Sequence, residues 1–265
     1  MSVATQNSLS KIEQQREHFN SISQQYYEGR QEKTHILLKK LIWQMAFNAL
    51  PAPKDGSINV LEPMCGYAEG YDLLQEHYTK NITYQGFDYS NDIVEQISKS
   101  RPDLEITQED VTQYRPEHGK QDIIILIGGL HHVPNQAREV VTNMSHALKP
   151  GGFFVNFEPT SGNPLFKAVR DKIYNRNKIF DAETERAFGV DELSSMFLEA
   201  GLEKHKILYP GLLAYIMYYN PYAFPWLNIG GTGLMKAIYA IDKLFFTNII
   251  GRTMSFATLS IWKKP

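Results

Sequence analysis

Three acidic side chains stand at or near the ends of short apolar runs, where they could bind the donor groups of a nucleoside. Glu62, in "INVLE", is expected to end the first strand. Asp88, after "ITYQGF", is expected to end the second, and Asp110, beyond "LEIT", the third. A carboxylate such as Asp88 can accept both vicinal hydroxyls of a ribose, and Asp110 can accept an adenine amino group. The carboxyl ends of neighbouring parallel strands line one crevice, so these acids are expected to face one ligand. They predict an adenosine site.

The loop after Glu62, "PMCGYAEG", has the glycines that a nucleotide-like ligand needs. Gly66 and Gly70 allow the backbone to approach a ligand, and the following helix adds the positive end of its dipole. A dinucleotide loop would read G-x-G-x-x-G, but the second and third glycines are replaced by Ala68 and Tyr71. Glu62 would repel a pyrophosphate, whereas it suits a cationic ammonium group or a network of backbone amides. The loop therefore favours an adenosine-bearing cation over a dinucleotide.

Two histidines and a glutamate are candidates for chemistry on a second substrate. His131 and His132 follow the run "DIIILIGGL", and a histidine there could take a proton from a hydroxyl. A structural turn, with one histidine bonded to backbone, is the alternative. Glu158, after "GGFFVNF", is a candidate base or substrate-orienting group, with a solvated strand-end carboxylate as the alternative. Cys65 is expected to be a small apolar filler, and no metal site is predicted.

The elements that must position these residues alternate along the chain. Apolar runs separated by helical stretches at about 70–78, 92–100 and 136–148 predict a parallel sheet with crossover helices. The fold class is α/β, a doubly wound sheet. Residues 1–54 are expected to form an N-terminal helical segment or lid, with a helix over 9–28 and another over 34–50. Residues 55–265 are expected to form one domain with insertions at about 159–188 and 210–251.

Taken together and in order, these stretches resemble the class I S-adenosylmethionine-dependent methyltransferases. The resemblance rests on "VLEPMCGYAEG", "GFDYS", "EDV", "DIIILIGGLHHV" and "LKPGGFF", which span residues 58–158. It implies S-adenosyl-L-methionine as the cofactor and a seven-stranded Rossmann-like sheet whose last strand, "TMSFATLSIWKK", is antiparallel. The family loop usually has glycine where Met64 and Ala68 stand, so Met64 is expected to contact the ligand through its backbone.

The predicted cofactor site extends beyond the three acids. An aromatic ring beside a sulfonium gains cation–π attraction, so Tyr26 is a candidate contact, with a purely structural aromatic as the alternative. The complete predicted set comprises Tyr26, Glu62, Met64, Gly66, Asp88, Tyr89, Asp110, Val111 and Ile127. "LHHVP" and "LKPGG" resemble the branch that modifies small molecules, and in particular the methyltransferases of quinone biosynthesis.

Composition limits the partners. The chain has 265 residues, a net charge of −2 and one cysteine. This balance does not favour a nucleic-acid partner, and the single cysteine and polar N-terminus favour a cytoplasmic location. The apolar stretch 212–246 is too interrupted to span a membrane. It is expected to cap the site over a lipophilic acceptor, with a homodimer interface or a peripheral membrane contact as alternatives.

The sequence therefore predicts a methyltransferase that acts on oxygen or activated carbon of a lipophilic or aromatic small molecule. Two other functions remain open. The domain could bind S-adenosylmethionine or a lipid without turnover, since the cofactor residues would look the same. A protein or RNA methyltransferase would require a basic groove, which the composition does not favour.

Overall fold

The structure is a computed structural model that describes residues 28, 30–53, 57–162, 168, 186–221 and 224–265. The helix predicted over 9–28, including Tyr26, lies outside the described residues except at its last position. Most of the connection predicted at 159–188 also lies outside them.

A mixed β-sheet forms the centre of the described part. Its main strands follow the order β3-β2-β1-β4-β5-β8-β7, and only β8 runs antiparallel to its neighbours. This arrangement confirms the predicted doubly wound α/β fold with an antiparallel last strand. A short additional strand, β6, pairs with the end of β5. The strands are β1 Ile58–Pro63, β2 Ile82–Asp88, β3 Glu105–Gln108, β4 Gln121–Ile127, β5 Leu148–Ser161, β6 Phe188–Gly189, β7 Glu203–Leu208 and β8 Ala257–Lys263.

Helices cover both faces of the sheet, so the central strands are apolar almost throughout. In β4, Ile123 and Ile125 face one core, while Ile124 and Leu126 face the other. Helices α1, α2, α6 and α7 pack in the first core, and α4 and α5 pack in the second. The helices are α1 Lys33–Phe47, α2 Glu69–His77, α3 Asn91–Ser100, α4 Ala137–Ala147, α5 Val190–Glu199, α6 Leu213–Tyr218, α7 Gly231–Asp242 and α8 Ile249–Met254.

Two predicted strand boundaries are wrong. Asp110 lies two residues beyond the end of β3 rather than at it. The strand predicted from Thr253 begins at Ala257, because Asn248 caps a helix that runs to Met254. The Asn248 side chain accepts hydrogen bonds from the amides of Ile250 and Gly251.

The long connection between β7 and β8 contains α6, α7 and α8, and it packs on α1. Tyr239 of α7 donates a hydrogen bond to the carbonyl of Leu41 over 2.9 Å, and Thr34 donates to the Asn228 side chain over 2.8 Å. None of the helices in the described ranges has the length and hydropathy needed to cross a bilayer.

Candidate cofactor and active site

Glu62 anchors the glycine loop. Its Oε1 accepts a hydrogen bond from the Gly70 amide at 2.8 Å, and its Oε2 accepts from the Tyr71 amide at 3.2 Å and the Tyr84 hydroxyl at 2.8 Å. A Cβ at Gly70 would lie 2.7 Å from the Glu62 carboxyl carbon, so this position requires glycine. Burial raises the pKa of Glu62 to about 8, although the backbone and tyrosine hydrogen bonds oppose this rise. Of the two roles expected for Glu62, the structure therefore shows the amide network.

The loop backbone is left-handed at two positions, Met64 and Ala68, where the methyltransferase family that the sequence resembles usually has glycine. Met64 and Ala68 adopt φ of 54° and 57°, and Gly66 between them adopts 51°. Left-handed backbone is unfavourable for residues with a Cβ, so neighbouring structure must hold both. The Cys65 amide donates to the Phe87 carbonyl at 2.9 Å, which ties the loop to β2. Cys65 itself is buried, and burial raises the pKa of its thiol well above the usual range, in keeping with a filler role.

Asp88 and Asp110 lie at the crevice with acceptor capacity that suits an adenosine. Asp88 accepts from the amides of Gly66 and Ser90, both at 3.0 Å, so its carboxylate is aligned by the glycine loop and the next helix. Asp110 uses Oδ1 to accept from the amide and hydroxyl of Thr112 at 2.8 and 2.7 Å. Within the part of the chain that the structure describes, its Oδ2 has no hydrogen-bond donor. That oxygen has the acceptor capacity for the amino group of an adenine, and the contact itself stays a prediction.

The other predicted cofactor residues differ in exposure. Tyr89 follows Asp88 and is half-buried, and Ile127 is half-buried at the end of β4. Val111 is buried, with its side chain in the second core. These positions place all of the predicted set except Tyr26 at or beside the carboxyl ends of β1 to β4.

A partly buried ionic cluster lies beside the glycine loop, and the sequence analysis did not identify it. Glu69, the first residue of α2, accepts from Arg30 at 2.5 Å and also pairs with Lys39 of α1. Burial alone would raise the pKa of Glu69, but the charges and hydrogen bonds of Arg30 and Lys39 hold it below its usual range. The two basic side chains fix Glu69 at the start of α2 and tie α1 to the glycine loop.

His35 lies one turn before Lys39 on the same side of α1. It is buried, and its ring Nδ1 lies 2.6 Å from the carbonyl of Tyr219 in the insertion. Burial and the charges of Arg30 and Lys39 lower the pKa of His35 to about 3, so the ring is neutral. The i, i+4 spacing of His35 and Lys39 within an otherwise apolar stripe was the signal that could have revealed a buried polar pair.

Glu158 anchors the turn after β4 in the way that Glu62 anchors the glycine loop. Its Oε1 accepts from the amides of Gly129 and Leu130 at 2.9 and 2.8 Å, and its Oε2 accepts from the His131 amide at 3.3 Å. The side chain is fully buried, so the alternative of a solvated carboxylate is wrong. Burial raises the pKa of Glu158 to about 8, although three backbone amides oppose this rise.

The same carboxylate also holds the imidazole of His131. Oε2 of Glu158 lies 2.9 Å from Nδ1 of His131. At pH values above about 8, where Glu158 is ionised, Nδ1 of His131 donates to the carboxylate and Nε2 of the neutral ring is a proton acceptor. The ring of His132 lies alongside, with centroids 3.9 Å apart. The geometry thus combines a titratable ring with an orienting carboxylate.

The glycine loop and the histidine turn are in direct contact. A Cβ at Gly129 would lie 2.7 Å from the sulfur of Met64, so glycine at this position lets the Met64 side chain pack over the turn. The contact follows from the sheet, since β1 and β4 are neighbours. Any ligand held by the glycine loop therefore lies next to the turn that carries His131.

Residues 60–152 match a family model described as a methyltransferase domain. The chain carries a methyltransferase domain. The enzyme is accordingly an S-adenosylmethionine-dependent methyltransferase, which decides against a dinucleotide-binding oxidoreductase. When bound, S-adenosylmethionine supplies a methyl group activated by its sulfonium, and the acceptor capacity of Asp88 and Asp110 fits its adenosine. In a comparison with curated proteins, none matches the sequence of this chain.

Solved structures share its fold at low sequence identity. A Thermotoga maritima protein, named as an S-adenosylmethionine-dependent methyltransferase with histamine suggested as acceptor, is 13% identical with a TM-score of 0.62. The match covers 95% of this chain and 100% of that one. A protein from Bacillus halodurans named as a methyltransferase is 19% identical with a TM-score of 0.56, covering 85% and 98%. The cyclopropane synthase MmaA2 from Mycobacterium tuberculosis is 13% identical with a TM-score of 0.59, covering 84% and 83%.

Proposed function

We propose that the enzyme transfers the methyl group of S-adenosylmethionine to oxygen or an activated carbon of a lipophilic or aromatic small molecule. A place in the branch that resembles quinone-biosynthesis methyltransferases and a cytoplasmic location are part of this proposal. The observation that carries it is the contact between His131 and Glu158 beside the glycine loop. A base in this position suits an acceptor whose hydroxyl or acidic C–H must lose a proton.

In this proposal His131 is the base and Glu158 is the positioning residue. Glu158 is fully buried and directs its oxygens at the turn, so it cannot reach the acceptor itself. By accepting from Nδ1, it directs Nε2 of the ring as the proton acceptor. General-base catalysis typically contributes about 10²- to 10⁴-fold to rate, and alignment of the two substrates supplies much of the rest.

Aromatic residues of the insertion at about 210–251 support a lipophilic or aromatic acceptor. The rings of Tyr215 and Tyr219 stack with centroids 4.6 Å apart, and Tyr219 lies 5.3 Å from Phe157, the residue before Glu158. The hydrogen bond of His35 to the Tyr219 carbonyl joins this aromatic group to α1. We propose that residues 1–54 and the insertion at about 210–251 together form the cover of the site.

Following the label of methyl-labelled S-adenosylmethionine in a cell extract tests the proposal. The extract is separated into organic-soluble, aqueous and macromolecular fractions, and label in the organic fraction is expected. Label in the macromolecular fraction would replace the small-molecule acceptor by a protein or RNA. No label in any fraction, despite measured cofactor binding, would favour the binding protein without turnover.

The variant His131→Ala tests the base separately. We expect turnover to fall about 10²-fold or more while cofactor affinity stays within twofold. A variant that keeps full turnover would remove the proposed role of His131 and would leave the methyltransferase assignment intact.

A further inference from the structure

Exposed large apolar side chains are concentrated in one segment. Of the eleven in the described residues, only Leu198 lies outside 213–254. Scattered exposed apolar residues are ordinary on proteins, whereas such a concentration marks a contact surface. The other ten, called here the apolar surface, are Leu213, Ile216, Trp226, Ile229, Leu234, Ile241, Leu244, Ile249, Ile250 and Met254.

Helix α7 shows that this exposure is a property of one helix face. Its buried face consists of Met235, Tyr239 and Asp242, at spacing i, i+4 and i+7. Leu234 and Ile241 lie one heptad apart on a different face, and they are 40% and 61% exposed. A helix that is apolar on both its inner and outer sides is typical of a buried helix rather than a surface one. The outer face of α7 therefore needs a covering partner.

The unpaired charges exposed on segment 213–254 are all positive. Its ionisable residues are Lys236, Asp242, Lys243 and Arg252. Asp242 is buried and accepts a hydrogen bond from the Ala214 amide, while Arg252 is paired with Asp191. Lys236 and Lys243 are exposed, and no acidic side chain of the described ranges pairs with either of them. The exposed charge left unpaired beside the apolar surface is therefore positive, although the whole chain has a net charge of −2.

We propose that the apolar surface docks the protein on an anionic lipid bilayer. An interfacial helix inserts its apolar side chains among lipids while lysines at its margin contact anionic headgroups. The outer face of α7 supplies the apolar side chains. Lys236 and Lys243, each two residues after Leu234 and Ile241, lie on the opposite margin of the exposed side of the helix. Trp226, 73% exposed, is of the residue type enriched at membrane interfaces.

A second copy of the chain fits this surface less well. A two-fold interface places the same patch against itself, so the unpaired lysines of both copies would be brought together. The segment offers no exposed acidic residue to neutralise them. An anionic bilayer would both cover the exposed apolar side chains and pair with the exposed lysines.

The docking extends the proposed function but does not depend on it. Helix α6 belongs to the same segment, and its Tyr215 ring lies 6.2 Å from that of Phe157 in β5. A docked protein would thus place the lipid surface near the insertion that is proposed to cover the site. Binding to lipid itself requires neither cofactor nor turnover.

Co-sedimentation with vesicles tests the proposal on the full chain without cofactor. Vesicles of phosphatidylcholine alone are compared with vesicles that also contain phosphatidylglycerol. We expect binding to the anionic vesicles that weakens with added salt and is several-fold weaker on the neutral ones. The double variant Ile241→Ser with Leu244→Ser is expected to lose at least tenfold in binding. Lys236→Gln with Lys243→Gln is expected to lose about fivefold for each lysine on anionic vesicles only.

The control is Leu198→Ser, which removes an exposed leucine outside the segment and is expected to bind like the unmodified protein. Sedimentation velocity in the absence of lipid follows self-association. Absence of vesicle binding, or binding that all variants retain, would overturn the proposal. A dimer that Ile241→Ser with Leu244→Ser converts to monomer, without vesicle binding, would replace the bilayer by a second copy. Methyl transfer is assayed separately in solution, so its failure is distinguishable from failure to dock.

Discussion

Glu62 and Glu158 each hold one half of the site by accepting backbone hydrogen bonds, but only Glu158 also holds a histidine side chain. The donor half is the glycine loop 62–70, and the acceptor half is the turn 128–132. Each glutamate is a buried strand residue, Glu62 one residue before the end of β1 and Glu158 three residues before the end of β5. Each accepts backbone amides from the segment it holds. Glu62 holds backbone and a tyrosine hydroxyl, whereas Glu158 also holds the imidazole of His131. In the proposed function, Glu62 accordingly shapes a binding loop and Glu158 positions the side chain proposed as the base.

Removing either glutamate is expected to have the largest effect. Glu62→Ala and Glu158→Ala each leave at least two buried amides without an acceptor, at about 1–3 kcal/mol for each amide. We therefore expect the free energy of unfolding to fall by about 3 kcal/mol or more in both variants, as measured by urea denaturation. The control Glu203→Ala removes an exposed glutamate of β7 and is expected to change it by less than about 0.5 kcal/mol. A loss below about 1 kcal/mol for either buried glutamate would break the comparison.

Cofactor affinity is expected to separate the two halves. Asp88→Ala removes a charged acceptor for two ribose hydroxyls and the anchor of Gly66, so S-adenosylmethionine is expected to bind about 10²-fold more weakly. Asp110→Ala is expected to cost about tenfold. Titration calorimetry measures both. His131→Ala is the matched variant in the acceptor half and is expected to keep cofactor affinity within twofold. If it lost as much affinity as Asp88→Ala, the separation into a cofactor-binding half and an acceptor half would be contradicted.

The pH dependence of stability tests whether Glu62 keeps its proton in the folded state. Its pKa is raised from 4.5 to about 8, so between these values the folded state holds a proton that the unfolded state has lost. Stability from this group is therefore present at low pH and is lost as pH rises toward 8. The pKa of His35 is lowered to about 3, so its contribution makes stability rise with pH between about 3 and 6.5. That rise is largely complete by about pH 7.

Denaturation at pH 6.5 and 8 compares the unmodified protein with Glu62→Gln, so other groups cancel in the difference. The unmodified protein is expected to lose about 1.6 kcal/mol more than the variant over this interval. Equal losses would show that Glu62 is ionised throughout.

The left-handed residues of the donor half give the smallest expected effect. Ala68→Gly relieves about 1–2 kcal/mol of backbone strain but loses a buried methyl group worth about 0.8 kcal/mol, so a net gain below about 1 kcal/mol is expected. Gly66→Ala is the reverse change at a similar φ, and a Cβ there would meet no atom within 4 Å. It is expected to cost about 1–2 kcal/mol. If Ala68→Gly destabilises the protein, the loop is held by side-chain packing rather than under strain.

Local patterns in the sequence predicted the strands that carry the donor half. Apolar runs end close to Glu62, Asp88 and Asp110, although β3 stops two residues before Asp110, and a parallel sheet brings such ends together. The two possible roles of Glu62 could not be separated, because a carboxylate suits a ligand ammonium and a backbone amide equally. The pairing of Glu69 with Arg30 and Lys39 was missed because it spans 39 and 30 residues and depends on how α1 docks.

The outer part of the molecule was harder to predict for a different reason. Hydrophobic periodicity identifies the faces of a helix but not which apolar face is buried when there are two. In α7 both the face with Met235 and the face with Leu234 are apolar, and only the packing on α1 distinguishes them. The burial of Glu158 was likewise invisible, since a glutamate at a strand end is usually solvated.

The most direct measurement compares Glu62→Gln with Glu158→Gln in cofactor affinity and in the single-turnover rate at saturating S-adenosylmethionine. The account predicts a crossed result, in which Glu62→Gln weakens cofactor binding and keeps the rate. Glu158→Gln is expected to keep cofactor binding and to slow the rate at least tenfold, with an altered pH profile. If both variants change affinity and rate in the same proportions, the two glutamates do not divide the work between donor and acceptor, and the central claim is contradicted.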